Sequence, residues 1–126
     1  MKRSGLVLVL MILLIFFGWH CGYEKFAPKE LVGLWKTSAP KYADRFLKID
    51  TDTITFGIGG GNVEIYTIKK LKIKRALEEQ SVLYTIYYDN EEGDEYTFAF
   101  YYSPEGGGTI KLKHQRQTVW KKQSNR

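Results

Sequence analysis

The sequence predicts an all-β domain, an antiparallel meander of about eight strands closed into a small barrel, behind an N-terminal hydrophobic segment. Apolar residues recur at every second position in several runs, most clearly Val82-Tyr84-Ile86-Tyr88 and Tyr96-Phe98-Phe100-Tyr102. That is the period of a pleated strand. The runs break at clusters of Gly, Asp and Asn, the residues that turns require, and helical periodicity is nearly absent beyond residue 24. The 126 residues, 44% apolar and 26% charged, hold one domain's core and fit neither a disordered nor a fibrous chain. The single cysteine, Cys21, excludes an internal disulfide scaffold.

The first 23 residues read as a signal peptide or membrane anchor. Met1-Lys2-Arg3-Ser4-Gly5 is positive, and the twelve residues from Leu6 to Phe17 are all apolar, which is the export pattern. Cleavage before Cys21 would place His20 and Gly18 at the small-residue positions, where His20 fits badly. Cys21-Gly22 lies where bacterial lipoprotein signals put their lipid-modified cysteine. Phe17-Gly18-Trp19-His20-Cys21 resembles that lipobox in part, without its Leu and small residue, so Cys21 is the lipidation candidate. Left uncleaved, Gly5 to Trp19 as a helix spans about 22 Å against a hydrocarbon core of ~30 Å. Trp19 and Tyr23 would then sit at the interface. Anchor, lipoprotein and cleaved secreted form all stay open. Each puts the domain outside the cytoplasm, in a bacterial periplasm or at the cell surface, with the membrane as the partner of the N-terminus.

Removing Lys2 and Arg3 with the signal leaves 17 of the 19 basic residues against 14 acidic ones, so the exported part is only +3. That balance and an exported location exclude nucleic acid as a partner. Residues 24–29 read as a short linker, residues 30–122 as the barrel and residues 123–126 as a polar tail.

Within the barrel, Leu31-Val32-Gly33-Leu34-Trp35 opens the first strand. Leu47 and Ile49 alternate with Phe46 and Lys48, and Asp50-Thr51-Asp52 turns into Thr53-Ile54-Thr55-Phe56. Gly57 to Asn62 is a permissive turn. In the next run Val63 and Ile65 share a parity with Leu71 and Ile73, whereas Tyr66 and Ile68 fall on the other face. That conflict places a bulge near Lys69-Lys70. Ala76 to Gln80 reads as a helical turn or a wide loop. Asp89 to Asp94 reads as a hairpin turn, Ser103 to Gly108 as another, and Ile110-Leu112 and Val119-Trp120 as the last strands. Sequential hairpins favour a meander, and eight strands suffice to close a barrel and remove its edges.

Gly33-Leu34-Trp35 on a first strand, in a meander ending near Trp120, resembles the opening motif of lipocalins and related calycins. The resemblance implies a strand that closes one barrel end, with Gly33 and Trp35 as structural residues. It also implies a late cation over Trp35, with Arg116 the nearest candidate and Lys121 and Lys122 the others. Asp94-Glu95-Tyr96 is similar to the family's second motif.

Aromatic residues on the even-numbered face make the candidate ligand site: Tyr84, Tyr96, Phe98 and Phe100. Aromatic walls with hydroxyl anchors suit a small apolar or amphipathic ligand. The same rings equally suit a barrel filled by its own side chains. An enclosed cavity of about 300 Å³ or more separates the two readings. The first makes the protein a tethered binding module; the second makes it an envelope accessory protein with a protein partner. Catalytic patterns are absent: His114 has no companion for zinc, no Gly-x-Ser-x-Gly elbow occurs, and Gly57 to Gly61 lacks a phosphate loop's lysine and helix. The acidic turn lacks ordered Ca²⁺-ligand spacing. No enzyme, metal or cofactor is expected. The lysines of Lys69 to Arg75 and Lys111 to Lys122 alternate with apolar residues, as solvated strand faces do.

Overall fold

The computed structural model describes residues 20–75 and 81–124. The N-terminal apolar run, read from the sequence as a signal or anchor, and the Ala76–Gln80 connection fall outside these. The strands are β1 (His20–Glu24), β2 (Gly33–Thr37), β3 (Phe46–Ile49), β4 (Thr53–Gly59), β5 (Asn62–Arg75), β6 (Val82–Asp89), β7 (Glu95–Ser103), β8 (Thr109–Leu112) and β9 (Gln115–Lys122). From β2 to β9 each strand pairs antiparallel with the next, and β9 returns to β2 with Trp35 opposite Lys122. The result is a closed, antiparallel, eight-stranded barrel. Among the described residues helix is limited to two 3-10 turns, Pro40–Tyr42 and Glu105–Gly107, and no helix is long and apolar enough to cross a membrane.

The expected parity is the observed one. Val82 to Asp89 pairs with Glu95 to Tyr102, Tyr84 facing Phe100 and Ile86 facing Phe98. Tyr84, Ile86 and Phe100 are fully buried. The parity conflict in β5 resolves as a bulge, with the register slipping between Ile68 and Lys70. Ile68 before it and Leu71 after it both reach the core. An extra residue flips every following side chain to the opposite face, so Val63 and Ile65 are left outside, 48% and 64% exposed.

The N-terminal boundary differs from the expected one. Residues 20–24 form β1, with His20 opposite Arg75 and Glu24 opposite Leu71. The residues read as a linker are also part of the fold. Ala27 is buried and donates its N–H to Thr51 O at 2.8 Å, and Leu31 is fully buried. The reason is the length of β5. Its 14 residues outrun the seven of β4, whose pairing ends at Thr67. Leu71 to Arg75 would otherwise present unpaired N–H and C=O groups, an edge that folded proteins cover. β1 covers it. At the other terminus Gln123, just past β9, donates its N–H to Leu34 O at 2.8 Å.

Trp35→Ala is expected to destabilise the fold by about 3–5 kcal/mol, as large-to-small changes at fully buried Trp positions do; denaturant melts read it, and a loss below ~1 kcal/mol would mean Trp35 is not a core residue. A chain beginning at Lys25 is expected to lose its two-state melt or to self-associate, whereas one beginning at Cys21 keeps both properties. Size-exclusion chromatography and melts compare them.

Candidate functional site at the distal barrel mouth

The two barrel ends are built differently. At the proximal end, where β1 begins, residues 27–32 form a plug. Trp35 Nε1–H donates to Leu31 O at 3.0 Å, four residues back, holding Leu31 over the core. The Tyr84 hydroxyl donates to Glu30 Oε1 at 2.7 Å, and Lys122 Nζ donates to Glu30 O at 3.3 Å. The Lys122 ammonium also lies 5.9 Å from the Trp35 ring, a cation–π arrangement. The side chain crosses Gly33, where a Cβ would meet Lys122 Cε at 2.6 Å and φ is 152°. Only glycine suits that position. Arg116, the nearest candidate for this role, lies elsewhere: its guanidinium is 4.5 Å from the Tyr101 ring on the outer face. Arg116 follows directly on the β8–β9 turn and its guanidinium is engaged by Tyr101, away from Trp35 at the barrel's closed end.

At the distal end the mouth is open. A pocket of about 250 Å³ is walled by Tyr42, Phe46, Phe56, Phe98, Leu112 and Trp120, with Arg45 and Gln115 at its edge. Phe56 and Phe98 meet edge to face at 5.3 Å, and Tyr42 lies 6.1 Å from Trp120. Phe46 covers Gly57, whose missing side chain leaves room for the ring. Trp120 is 8% exposed, and its buried Nε1–H finds no acceptor among the described residues. An unpaired buried donor costs about 1–3 kcal/mol.

Of the four expected ligand residues, only Phe98 lines this pocket. Phe100 lies deeper, 5.4 Å from Phe98 and stacked on Tyr84 at 5.8 Å. Tyr84 belongs to the plug. Tyr96 is 45% exposed and stacks on Tyr88, which in turn meets Tyr66 at 4.8 Å. These three tyrosines form a ladder along the rim, outside the pocket. Phe56 had a legible signal, since it alternates with Ile54. Tyr42 had none, because the 3-10 turn carries it to the mouth from a distance, and Phe46, the first residue of β3, shares the parity of exposed Lys48.

The interior therefore holds rings rather than a chamber. The distal pocket is smaller than the expected threshold and open to solvent, and larger depressions of about 430, 530 and 640 Å³ are open clefts. The acidic turn is internally bonded: Asn90 Oδ1 accepts the N–H groups of Glu92 and Asp94 at 3.0 and 2.9 Å. Lys69 bridges Asp89 and Glu95 at 3.6 and 3.1 Å. His114 is exposed in the β8–β9 turn. No group of three or more potential metal ligands occurs among the described residues. Comparison with protein-family models, curated proteins and solved structures finds no match.

Four tyrosines inside or at the edge of the barrel hold their protons above the usual phenol range, Tyr66 chiefly through its bond to the Glu64 carboxylate. Burial is the main cause for Tyr84, followed by its bond to the Glu30 carboxylate. Burial also leads for Tyr88, with the Glu64 charge next, and for Tyr102, with the Glu30 charge next. A phenol whose folded pKa exceeds its unfolded value of 10.0 stabilises the fold fully below that value, and this stability is lost as pH rises above it. Denaturant midpoints are expected to stay level up to about pH 9 and to fall beyond ~10. Tyr84→Phe is expected to flatten that fall while lowering neutral-pH stability by about 1–3 kcal/mol, the range for a hydrogen bond to a charged group.

Proposed function

We propose that the protein is a non-enzymatic accessory or interaction module of a bacterial envelope. Its N-terminus holds it at the membrane, and its barrel is a filled scaffold rather than a ligand cup. The supporting observation is the occupied interior. Trp35, Tyr84, Ile86, Phe100 and Ile110 are all fully buried, and the Tyr84 hydroxyl is already bonded to Glu30. A filled, plugged barrel has no room for a calyx ligand, so recognition falls to the surface. The calycin resemblance gains support from the same cluster, because Gly33, Trp35 and a late cation, Lys122, meet at the closed end.

A second reading keeps the small apolar or amphipathic ligand and moves it to the distal mouth. The unpaired Trp120 N–H at an aromatic-walled pocket favours it. Native mass spectrometry of the full-length protein, released from detergent, separates the two. The accessory reading expects the mass of the chain, or of its lipidated or processed form, with nothing else bound. A non-covalent adduct that Trp120→Phe abolishes and that tether substitutions leave in place would overturn it in favour of the ligand.

A further inference from the structure

Trp19 is followed at once by His20, the first residue of β1. Only Gly18 and Trp19 separate the apolar run from β1 in the sequence, so a bilayer that holds residues 6–17 must hold this corner of the barrel near its surface. The chemistry of the corner fits such a surface. Tyr23 and Phe26 are 60% and 51% exposed, the most exposed aromatic side chains among the described residues. Each has a cation over its ring: Lys70 at 5.2 Å from Tyr23 and Lys25 at 5.6 Å from Phe26. Tyr23 is opposite Lys72 in the ladder. Lys70, Lys72 and Lys74 occupy alternate positions of β5, and Arg75 ends it, with no acid in the strand after Glu64. Against these stand Glu24 on β1 and, in the connection outside the described residues, Glu78 and Glu79.

Aromatic side chains flanked by lysines are what membrane interfaces select, and anionic headgroups attract basic segments held within a Debye length. Glu91, Glu92 and Asp94 lie in the β6–β7 turn at the far end of β6, where the same anionic surface would repel them. The Asp89 and Glu95 carboxylates, nearer Lys70, are bridged by Lys69. We propose that the face formed by β1 and the C-terminal half of β5 docks on an anionic phospholipid surface. Tyr23 and Phe26 then lie at headgroup depth, and the acidic distal rim is held clear. This rests on the reading of residues 6–17 as a membrane tether.

The test uses the full-length chain reconstituted into vesicles of phosphatidylcholine, alone or with about 30% phosphatidylglycerol to supply negative charge. A membrane-impermeant acylating reagent modifies exposed lysines, and mass spectrometry reads the rate at each. Lys25, Lys70, Lys72 and Lys74 are expected to slow by about threefold or more when phosphatidylglycerol is present, and to recover in about 0.5 M salt. Lys41 and Lys113, in turns at the distal end, are expected to change much less. Equal rates at all six lysines in both vesicle types, on protein that floats with the vesicles, would overturn the docking and leave the tether standing. Failure to float would overturn the tether reading itself, and the docking with it.

Discussion

The contact on which the rest of the structure depends is the closure of the proximal end by Glu30, Leu31, Trp35, Tyr84 and Lys122. An eight-stranded barrel is about as wide inside as the side chains that fill it, so its ends decide whether water enters. Here the plug runs directly into β2: Trp35 holds the carbonyl of Leu31, and the turn so formed aims Glu30 at Tyr84. Lys122, 92 residues away in sequence, joins the Glu30 carbonyl to the Trp35 face. First and last barrel strands are thereby linked by side chains as well as by their ladder. Losing Glu30 would strand a buried phenol, and losing Trp35 would release Leu31. The cluster acts as a unit, and its members' energies are not separable by single substitutions.

A second constraint follows from β5. Its bulge turns the strand so that Leu71 and Ile73 continue the inward face begun by Tyr66 and Ile68. The strand can then extend past the barrel's β4 wall without carrying apolar residues outward. That extension creates the edge that β1 covers. β1 buries little of its own: Gly22, Tyr23 and Glu24 are exposed, and the backbone ladder is what holds it. An element held mainly by ladder bonds belongs to the less stable part of a fold, and here it is the part that follows the N-terminal apolar run in sequence.

What was legible follows from where the forces are local. Alternation along β6 and β7 is a property of neighbouring residues, and it yielded strands, pairing and inward face together. The bulge was legible because Ile68 and Leu71 cannot both face inward without it. β1 was not legible, since His20-Cys21-Gly22-Tyr23-Glu24 has no apolar alternation and becomes a strand only because of an edge 50 residues away. Assigning the late cation required the number of residues in the β8–β9 turn, where the register slips between Lys111 and Leu112; sequence proximity to the motif pointed to Arg116, and geometry selects Lys122. The aromatic site was half legible. Parity put Tyr84, Phe98 and Phe100 inside, but depth along the barrel, which separates a plug from a core from a mouth, is set by shear and by the loop at Tyr42.

The distribution of the aromatic rings then bears on what the barrel can do. They form one continuous series rather than a lining around a space. Tyr84 stacks on Phe100, Phe100 meets Phe98, Phe98 meets Phe56, and Phe56 meets Tyr66 and Tyr88 on the rim. A dry chamber would need several of these rings to stand apart, forfeiting both their mutual contacts, each about 0.5–1.5 kcal/mol beyond area burial, and the dispersion energy of a filled core. The series changes character only where it reaches solvent, at Tyr96 beside the Asn90-centred acidic turn. Apolar rings with hydroxyl tips, set beside charged groups already bonded among themselves, are the mixture that protein interfaces use. The packing that joins these rings into one series is therefore the same packing that places an aromatic rim at the barrel's distal end.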